Sequence, residues 1–374
     1  MTIRPPTEIG MAADDVDTPA LLVDLDAFEH NIALMARMVA SFGVNHRPHA
    51  KTHKSPDVAR RQIAAGAVGQ CCQKVGEAEV LVAGGIEDVL VSNQVVGPRK
   101  LDRLAALARQ ASIGVCVDDA GNIEDINAAA KRFGSTVEVL VEVDIGAGRC
   151  GVMPGAPAVV LAKKIDAASN LKFGGLQAYQ GRAQHIRGHG ERKVAIDKAG
   201  ALVKETVAKL TAAGLDCRLV TGAGTGTFQF EARSGVWNEL QAGSYCFMDA
   251  DYSLNLSEDG EFFDTFRQSL FVLATVMSHP TRDRAVLDAG LKASSIDAGL
   301  PRIADLLDVT YVGASDEHGT LALGVKAPEI KLGDKLRLIP GHCDPTVNLH
   351  DWYVGIRGGV VESLWPVAAR GAGF

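Results

Sequence analysis

The sequence predicts an α/β fold in which a (β/α)8 barrel of the TIM type precedes a mainly β domain. Between residues 46 and 245, short apolar segments typical of buried parallel strands alternate with segments of helical periodicity. After Asp251, helical periodicity largely disappears, and β-rich segments separated by turn residues follow. A length of 374 residues also exceeds the size at which one core usually keeps growing, so two domains are expected. A doubly wound open sheet is the alternative for the first part.

The predicted elements of the barrel follow one another in a regular order. An apolar strand at 20–25 comes first, and a helix with apolar residues at helical spacing follows it. We predict the eight barrel strands at 46–50, 69–73, 88–92, 112–117, 137–143, 172–178, 217–221 and about 239–245. We predict the intervening helices at 55–66, 75–84, 98–111, 120–133, 155–168 and 190–214, with only a partial helix at 225–238.

Six β-rich segments predict the second domain. They lie at 269–279, 285–288, 309–314, 335–339, 352–356 and 360–367. We interpret Ser315–Gly319 as the turn of a hairpin in this domain. Because the strand at 20–25 is expected to complete its sheet, we predict a barrel at 26–250 and a β-rich domain formed by 1–25 and 251–374.

Composition and charge exclude several classes of protein. The net charge of −7 provides no basic surface, so a nucleic-acid partner is not expected. No run of about 18 apolar residues occurs, and residues 1–17 lack a signal-peptide core, so neither a membrane span nor secretion is expected. The seven cysteines form no CxxC pair and no disulfide framework, which is typical of reduced thiols in a cytoplasmic protein.

Reactive, polar or glycine residues follow every predicted barrel strand. The carboxyl ends of the strands carry the active site in barrels of this type. In chain order these ends carry Lys51, Gln73, Asn93, Asp118 with Asp119, Arg149, Tyr179, the run 221–226 and the run 243–245. The sequence therefore predicts an active site at this face of the barrel.

The run Thr-Gly-Ala-Gly-Thr-Gly at 221–226 is a candidate phosphate site. It follows strand 7, where barrels commonly bind phosphate through backbone N–H groups that no Cβ obstructs. The residues that would hold the phosphate are Gly224, Thr225 and Gly226, with Gly243, Ser244 and Tyr245 after strand 8 completing the cradle. A tight turn without a ligand is the alternative interpretation of the same run.

Lys51 is the candidate attachment point for a cofactor. It lies in the stretch His-Arg-Pro-His-Ala-Lys-Thr-His-Lys at 46–54, and we predict that it is the last residue of strand 1. Cationic neighbours would lower the pKa of Lys51, as imine chemistry requires. A phosphate site across the same barrel mouth would suit pyridoxal phosphate, although a solvated lysine or another phosphate ligand would also fit these residues.

A second polar stretch, 340–352, contains a candidate metal pair. His342 and Asp344 alternate along a predicted strand or turn, so both side chains can face one way, with Cys343 facing the other. Imidazole and carboxylate together suit Mn²⁺ or Mg²⁺. A hydrogen-bonded polar turn is the alternative, and His350 could replace one of the ligands. His185, just after strand 6, is either a general base or a surface histidine.

These motifs together resemble the D-threonine aldolase family. That family belongs to the fold-type III pyridoxal-phosphate enzymes, which are related to alanine racemase and D-serine dehydratase. The resemblance covers essentially the whole chain and is nearest to the 3-hydroxy-D-aspartate aldolases. It is carried by RPHAKTHKSP, CCQKVGEAE, VLVEVDIGAGRCGV, GLQAYQG, TGAGTG, ELQAGSY, MDADY, LDAGLK, SDEHG, GHCDPTVNLHDWY and VAARG.

The resemblance implies a role for each candidate residue. Lys51 would form the Schiff base with pyridoxal phosphate, and His185 would take the proton from the substrate hydroxyl. Tyr179 and Arg149 would lie beside the pyridine ring, and Gln73 would flank the cofactor. The cofactor phosphate would be held by Gly224, Thr225, Ser244 and Tyr245, and the divalent metal (Mn²⁺ or Mg²⁺) by His342 and Asp344.

The resemblance also implies a reaction, with alternatives that the residues leave open. The substrate would be a D-3-hydroxy amino acid, which is cleaved to glycine and an aldehyde or glyoxylate by a head-to-tail homodimer. A dehydratase that releases ammonia is the main alternative. Its relatives carry a His-x-Cys pair suited to zinc, whereas this chain has Asp344 at that position. A racemase, which needs no metal pair, and a non-catalytic barrel, which would lack the β domain, are less favoured.

Overall fold

The computed structural model describes residues 4–374, which form a parallel barrel and a second, mainly antiparallel sheet. The first strand, β1 (Ala20–Asp24), belongs to the second sheet, and α1 (Leu25–Phe42) follows it. The barrel strands are β2 (Asn45–His46), β3 (Gln70–Cys72), β4 (Asp88–Gln94), β5 (Ser112–Val117), β6 (Val137–Glu142), β7 (Leu171–Ala178), β8 (Leu219–Gly222) and β9 (Glu239–Leu240). The helices that alternate with them are α2 (Pro56–Ala64), α3 (Val75–Ala83), α4 (Pro98–Leu107), α5 (Ala120–Phe133), α6 (Ala156–Asp166), α7 (His189–Ala212) and α8 (Phe228–Arg233).

The eight barrel strands pair in parallel, in the order β2-β9-β8-β7-β6-β5-β4-β3. A parallel bridge between His49 and Cys71 closes the ring between β2 and β3. The predicted (β/α)8 barrel is therefore confirmed, and the open sheet is excluded. The two faces of the barrel strands contribute buried residues to two different hydrophobic clusters. The smaller cluster fills the barrel interior and contains Cys71, Leu90, Cys116, Leu140 and Leu219.

In the second sheet, β1 lies between two strands from the C-terminal part of the chain. Its other strands are β10 (Leu270–Thr281), β11 (Arg284–Leu287), β12 (Arg302–Ile303), β13 (Val309–Ala314), β14 (Gly319–Leu323), β15 (Lys335–Ile339), β16 (Trp352–Arg357) and β17 (Val360–Pro366). Strand β1 pairs antiparallel with β10 and parallel with β16. The predicted hairpin turn joins β13 to β14, and its Ser315 N–H donates to the carbonyl of His318.

One continuous hydrophobic cluster connects the barrel with the second sheet. It includes Phe28 of α1, Phe247 after the last barrel strand, and Tyr353 and Trp365 of the second sheet. The rings of Phe28 and Phe247 lie 5.8 Å apart, and those of Phe247 and Tyr353 lie 5.5 Å apart. No helix within residues 4–374 is both long and apolar enough to cross a bilayer.

The prediction that Lys51 ends a strand is wrong. Strand β2 stops at His46, because Pro48 has no N–H to extend the ladder. Beyond the bridge at His49 the chain turns, with the N–H of Lys54 donating to the carbonyl of Ala50 over 2.7 Å. Lys51 therefore lies in the turn that follows the strand end, and it still reaches the barrel mouth.

The strand or turn predicted around His342 is also different in the structure. Residues Cys343–Val347 form a short helix, α9, and His342 occupies its N-cap position with φ −141°. Asp344 lies in the first turn of this helix, where a carboxylate interacts favourably with the backbone N–H groups. The two side chains are consequently brought together by the start of a helix and not by strand alternation.

Candidate active site

A cavity of about 180 Å³ lies at the carboxyl ends of the barrel strands. Eight predicted site residues line it: Lys51, Gln73, Arg149, Tyr179, Gly224, Thr225, Gly243 and Ser244. Its wall also contains residues that we did not predict as cofactor-binding or catalytic: His49, Thr52, Ser92, Gln177, Ala223, Gln241 and Tyr252. Asp344 contacts this cavity through Lys51, whereas Gly226, Tyr245, His185 and His342 do not line it.

Lys51 is half-exposed and forms an ion pair with Asp344. The distance from Lys51 Nζ to Asp344 Oδ2 is 3.4 Å, and 44% of the lysine side chain is accessible. The negative charge of Asp344 raises the pKa of Lys51 and outweighs the opposite effect of burial. The predicted lowering of this pKa by cationic neighbours is therefore wrong. Burial alone would raise the pKa of Asp344, but the charges of Lys51 and His342 lower it to about 2.

His49 lies beneath Lys51 as a neutral imidazole. It is buried, and burial together with the charge of Lys51 places its pKa well below the usual value. The Lys51 backbone N–H lies 3.3 Å from its Nδ1. Nε2 lies 3.2 Å from Ser92 Oγ and 2.7 Å from the side-chain amide of Gln73. These contacts fix the turn that carries Lys51.

The glycine-rich loop after β8 combines tight packing with a hydroxyl that lacks a partner. A Cβ on Gly224 would lie 2.5 Å from Gln184 Oε1, and one on Gly226 would lie 2.5 Å from the Gln184 carbonyl. Across the cavity, a Cβ on Gly243 would lie 2.6 Å from the His49 carbonyl. Thr225 Oγ1 is buried without a hydrogen-bond partner. An anion bound here would satisfy this hydroxyl, so the loop fits the predicted phosphate site.

A buried chain of hydrogen bonds supports this loop from behind. The Gly226 N–H donates to Gln184 Oε1 over 3.0 Å, and Gln184 Nε2 donates to Thr227 Oγ1 over 2.7 Å. Thr227 Oγ1 in turn donates to Glu231 Oε1 over 2.8 Å. Burial raises the pKa of Glu231 to about 7. The carboxyl group at the end of the chain is the final acceptor.

Tyr245 packs into the core instead of facing the cavity. Its ring lies 5.2 Å from that of His46 and 5.5 Å from that of Phe266, and its hydroxyl accepts a 3.3 Å hydrogen bond from Gln62. The side chain therefore cannot reach a ligand in the cavity. Only the backbone of Tyr245 is available for the predicted phosphate contact.

Arg149 and Tyr179 lie together on another wall of the cavity. The Arg149 guanidinium is 5.6 Å from the centre of the Tyr179 ring, and Nη2 lies 3.9 Å from Glu142 Oε1. More than half of the Arg149 side chain is exposed. A cation near an aromatic face at the rim is available to a bound anionic or aromatic group.

The candidate metal pair is held by a carboxylate that we did not predict. His342 Nδ1 lies 2.8 Å from Asp297 Oδ2, so Nδ1–H donates to this carboxylate and, in the neutral ring, Nε2 keeps its lone pair. Asp344 receives a 3.4 Å hydrogen bond from Ser244 Oγ. The described residues contain no group of three or more His, Cys, Asp or Glu side chains that could bind a metal. Two protein ligands supplemented by water are compatible with Mg²⁺ or Mn²⁺.

Cys343 and His350 are poorly suited to replace either member of this pair. Cys343 is fully buried, and burial raises the pKa of its thiol well above the usual value, so the thiolate that metals prefer is disfavoured. His350 Nε2 lies 2.8 Å from the carbonyl of Ala293 and must donate its proton there. This nitrogen therefore has no lone pair for a metal.

His185 lies beside the cavity and contacts it through Tyr252. Its Nδ1 is 2.6 Å from Asp251 Oδ2, and 53% of its side chain is exposed. The imidazole stacks on the ring of Tyr252, which lines the cavity, with 5.8 Å between ring centres. The carboxylate partner argues against an incidental surface histidine. Sequence reasoning had identified Asp251 only within the MDADY motif, and Asp297 carried no signal at all.

Comparison with known proteins agrees with this architecture. The family described as "Alanine racemase, N-terminal domain" matches residues 23–251, and that described as "Putative serine dehydratase domain" matches residues 269–356. The crystal structure of D-threonine aldolase from Filomicrobium marinum superposes with a TM-score of 0.96 and 50% identity, covering 100% of both chains.

Relatives of similar length fall into two groups of enzymes, aldolases and dehydratases. The 3-hydroxy-D-aspartate aldolase of Paracoccus denitrificans (strain Pd 1222) is 51% identical, covering 98% of this chain and 95% of that protein. The D-threonine aldolase of an Arthrobacter species is 47% identical, covering 99% and 97%. The D-threo-3-hydroxyaspartate dehydratase of Delftia sp. (strain HT23) is 30% identical, covering 88% and 92%. The chain therefore belongs to the family of 3-hydroxy-D-aspartate and D-threonine aldolases, pyridoxal-phosphate-dependent carbon–carbon lyases built on the alanine racemase barrel.

Proposed function

We propose that this protein is a divalent-metal-activated aldolase that cleaves D-3-hydroxy amino acids to glycine and an aldehyde or glyoxylate. The candidate substrates are 3-hydroxy-D-aspartate and D-threonine, and the candidate metals are Mn²⁺ and Mg²⁺. The supporting observation is the 3.4 Å distance between Lys51 Nζ and Asp344 Oδ2. It joins the lysine that would carry the cofactor to the carboxylate that would bind the metal.

Pyridoxal phosphate would bind between Lys51 and the glycine-rich loop. The unpartnered hydroxyl of Thr225 and the hydroxyl of Ser244 would hold its phosphate, and the Lys51 amine would hold its aldehyde carbon. When bound, the cofactor supplies an electron sink for the bond broken at the substrate Cα. Arg149, Tyr179 and Gln73, which line the same cavity, would limit the position of the ring.

The residues around the candidate metal pair would activate the substrate hydroxyl. His342 Nε2 and one oxygen of Asp344 would bind a divalent ion, which acts as a Lewis acid towards an oxygen ligand. Asp297 would keep His342 in the tautomer that leaves Nε2 free. His185 would accept the proton of the substrate hydroxyl as a general base, which typically contributes about 10²–10⁴-fold to the rate.

Product analysis tests this proposal. The purified protein, loaded with pyridoxal phosphate, is incubated with 3-hydroxy-D-aspartate, D-threonine and D-phenylserine in Mn²⁺ or Mg²⁺, and then with a chelator. Glycine together with an aldehyde or glyoxylate, lost on chelation and absent in Lys51→Ala, is the expected result. Ammonia together with a 2-oxo acid would identify a dehydratase instead, and activity that survives thorough chelation would remove the metal from the proposal.

Asp344 is the residue that favours the aldolase over the dehydratase. A carboxylate beside an imidazole prefers the harder ions Mg²⁺ and Mn²⁺, whereas a thiolate at this position would prefer zinc. The neighbouring Cys343 is buried as a thiol and does not substitute for it. The homodimer and the cytoplasmic location are further proposals, which rest on the family resemblance and on the seven free cysteines.

A further inference from the structure

Asp251 is a buried carboxylate whose two oxygens both have cationic or N–H partners. Oδ2 lies 2.6 Å from Nδ1 of His185, and Oδ1 is paired with the guanidinium of Arg187. Only 9% of the Asp251 side chain is accessible. Burial alone would raise the pKa of Asp251, but the hydrogen bonds from His185 and Arg187 lower it to about 2. The carboxylate is therefore ionised throughout the neutral range and acts only as an acceptor.

An ionised Asp251 determines which nitrogen of His185 carries the proton. Because the carboxylate can only accept, Nδ1 must donate, and in the neutral imidazole Nε2 is then the basic atom. The same contact fixes the plane of the ring, which stacks on Tyr252 at an interplanar angle of 25°. Without Asp251, the half-exposed ring could rotate and exchange tautomers freely.

Arg187 holds the carboxylate in place and connects it to the backbone. Its Nη1 donates to the Asp251 carbonyl over 2.8 Å and to Asn255 Oδ1 over 2.9 Å. The Asp251 N–H donates to the carbonyl of Gly341 over 3.2 Å, directly before the candidate metal ligand His342. Asp251 thus joins the loop that carries His185 to the segment that carries the metal pair.

We propose that Asp251, held by Arg187, is a positioning residue that keeps the proton of the neutral His185 ring on Nδ1 and so directs Nε2 for general-base catalysis. This inference rests on the proposed aldolase function, because it needs a substrate hydroxyl whose proton His185 accepts. Asp251 acts through His185 and needs no contact with the substrate. The arrangement corresponds in its logic to the carboxylate that orients a catalytic imidazole in hydrolytic triads.

The test is a double-mutant cycle on the loaded enzyme. Asp251→Asn, His185→Ala and the double variant are assayed for kcat and KM of glycine release. Asn keeps the size of the side chain but can offer its amide N–H to Nδ1, which would move the ring proton to Nε2. We expect Asp251→Asn to lower kcat about 10²-fold or more, with KM changed by less than about threefold. In the His185→Ala background the same substitution should have almost no further effect on kcat.

Asp251→Glu and Asp102→Asn are the companion variants. Glu restores an ionised acceptor and should recover part of kcat. Asp102→Asn changes an exposed partner of Arg132 that does not line the cavity, and it should leave kcat unchanged. Equal losses of kcat in both His185 backgrounds, or unchanged kcat in Asp251→Asn, would overturn the inference. If the unmodified enzyme releases no glycine, the proposed function fails instead. A fall in melting temperature shared by Asp251→Asn and Asp251→Glu, with kcat retained, would show a structural role only and would also overturn it.

Discussion

At the scale of single residues, two histidines of the site are each held in one tautomer by a carboxylate. Asp297 accepts from Nδ1 of His342, and Asp251 accepts from Nδ1 of His185, so both leave Nε2 available. His49 is held instead by contacts with the Lys51 N–H, Ser92 Oγ and the side-chain amide of Gln73. The site therefore separates two histidines suited to metal binding and proton transfer from one suited to support.

Asp297→Asn tests the support of the candidate metal ligand. The amide can present its N–H to His342 and so shift the ring proton to Nε2, which would block that lone pair. We expect the Mn²⁺ or Mg²⁺ concentration that gives half-maximal activity to rise about 10–100-fold, the usual effect of losing such a partner. Metal titrations of glycine release measure it. Asp305→Asn, at an exposed carboxylate paired with Arg337, is the matched control and should not shift the titration.

At the scale of secondary-structure elements, short segments carry most of the site. The loop after β8 and the 3-10 turn Ser244–Cys246 contribute residues that line the cavity, and the first turn of α9 contributes Asp344, which pairs with Lys51. Behind the loop, α8 contributes Glu231, a residue that is only 1% exposed. Its carboxyl group ends the chain of hydrogen bonds that begins at the Gly226 N–H. This buried acid makes the stability of the element depend on pH.

Glu231→Gln tests that dependence. Burial raises the folded-state pKa of Glu231 from 4.5 to about 7, so the folded state binds more protons than the unfolded state between these values. Its contribution to stability is thus complete below about pH 4.5 and is lost as pH rises towards 7, by up to about 3 kcal/mol. Gln cannot ionise but can still accept from Thr227. We therefore expect the free energy of unfolding of the unmodified protein to fall, relative to that of Glu231→Gln, as the pH rises from 5 to 7.5. Above pH 7.5 the difference should change little.

Thermal unfolding of both proteins across this pH range measures the difference. Parallel curves for the two proteins would contradict the prediction, because they would show that Glu231 does not titrate in this window. Glu258→Gln, at an exposed acid, provides a control that should leave the pH dependence unchanged.

At the scale of the whole molecule, the second sheet helps to build the site as well as to close the core. Asp344 comes from α9, which follows the second-sheet strand β15, yet it lies 3.4 Å from Lys51 of the barrel. The hydroxyl of Tyr353 on β16 donates to the carbonyl of His53 over 2.7 Å, inside the turn that carries Lys51. The barrel and the second sheet therefore position the same lysine.

Tyr353→Phe tests whether the second sheet positions the Lys51 turn, and Tyr311→Phe is its matched control. Both substitutions remove a buried hydroxyl that donates to a carbonyl, at 2.7 Å to His53 and at 2.8 Å to Ala289. Each should lower the free energy of unfolding by about 1–3 kcal/mol, since a buried acceptor loses its partner. Only Tyr353→Phe should also weaken pyridoxal-phosphate binding, because only His53 belongs to the Lys51 turn. Equal cofactor affinity in the two variants would contradict the coupling.

Much of the fold and part of the site could be predicted from the sequence. The strands of the barrel are short apolar runs that alternate with helical periods, and this local pattern is sufficient to order them. Lys51, Tyr179 and the glycine-rich loop were predicted as site residues because they lie at or just after the ends of such apolar runs. The early end of the strand before Lys51 was missed although Pro48 is a local signal for it, whereas the helix at Cys343 was missed because it depends on Asp249, which is distant in sequence. Asp249, for example, accepts the Cys343 N–H over 3.0 Å.

The sequence by itself determined the (β/α)8 barrel, the face that carries chemistry and the residue types available there, because each follows from local periodicity and position. Only the tertiary structure decided which of those residues meet. It paired Lys51 with Asp344, His342 with Asp297 and His185 with Asp251. Each pair joins segments far apart in the chain, so its charge and tautomer depend on burial and distance, which no local pattern specifies.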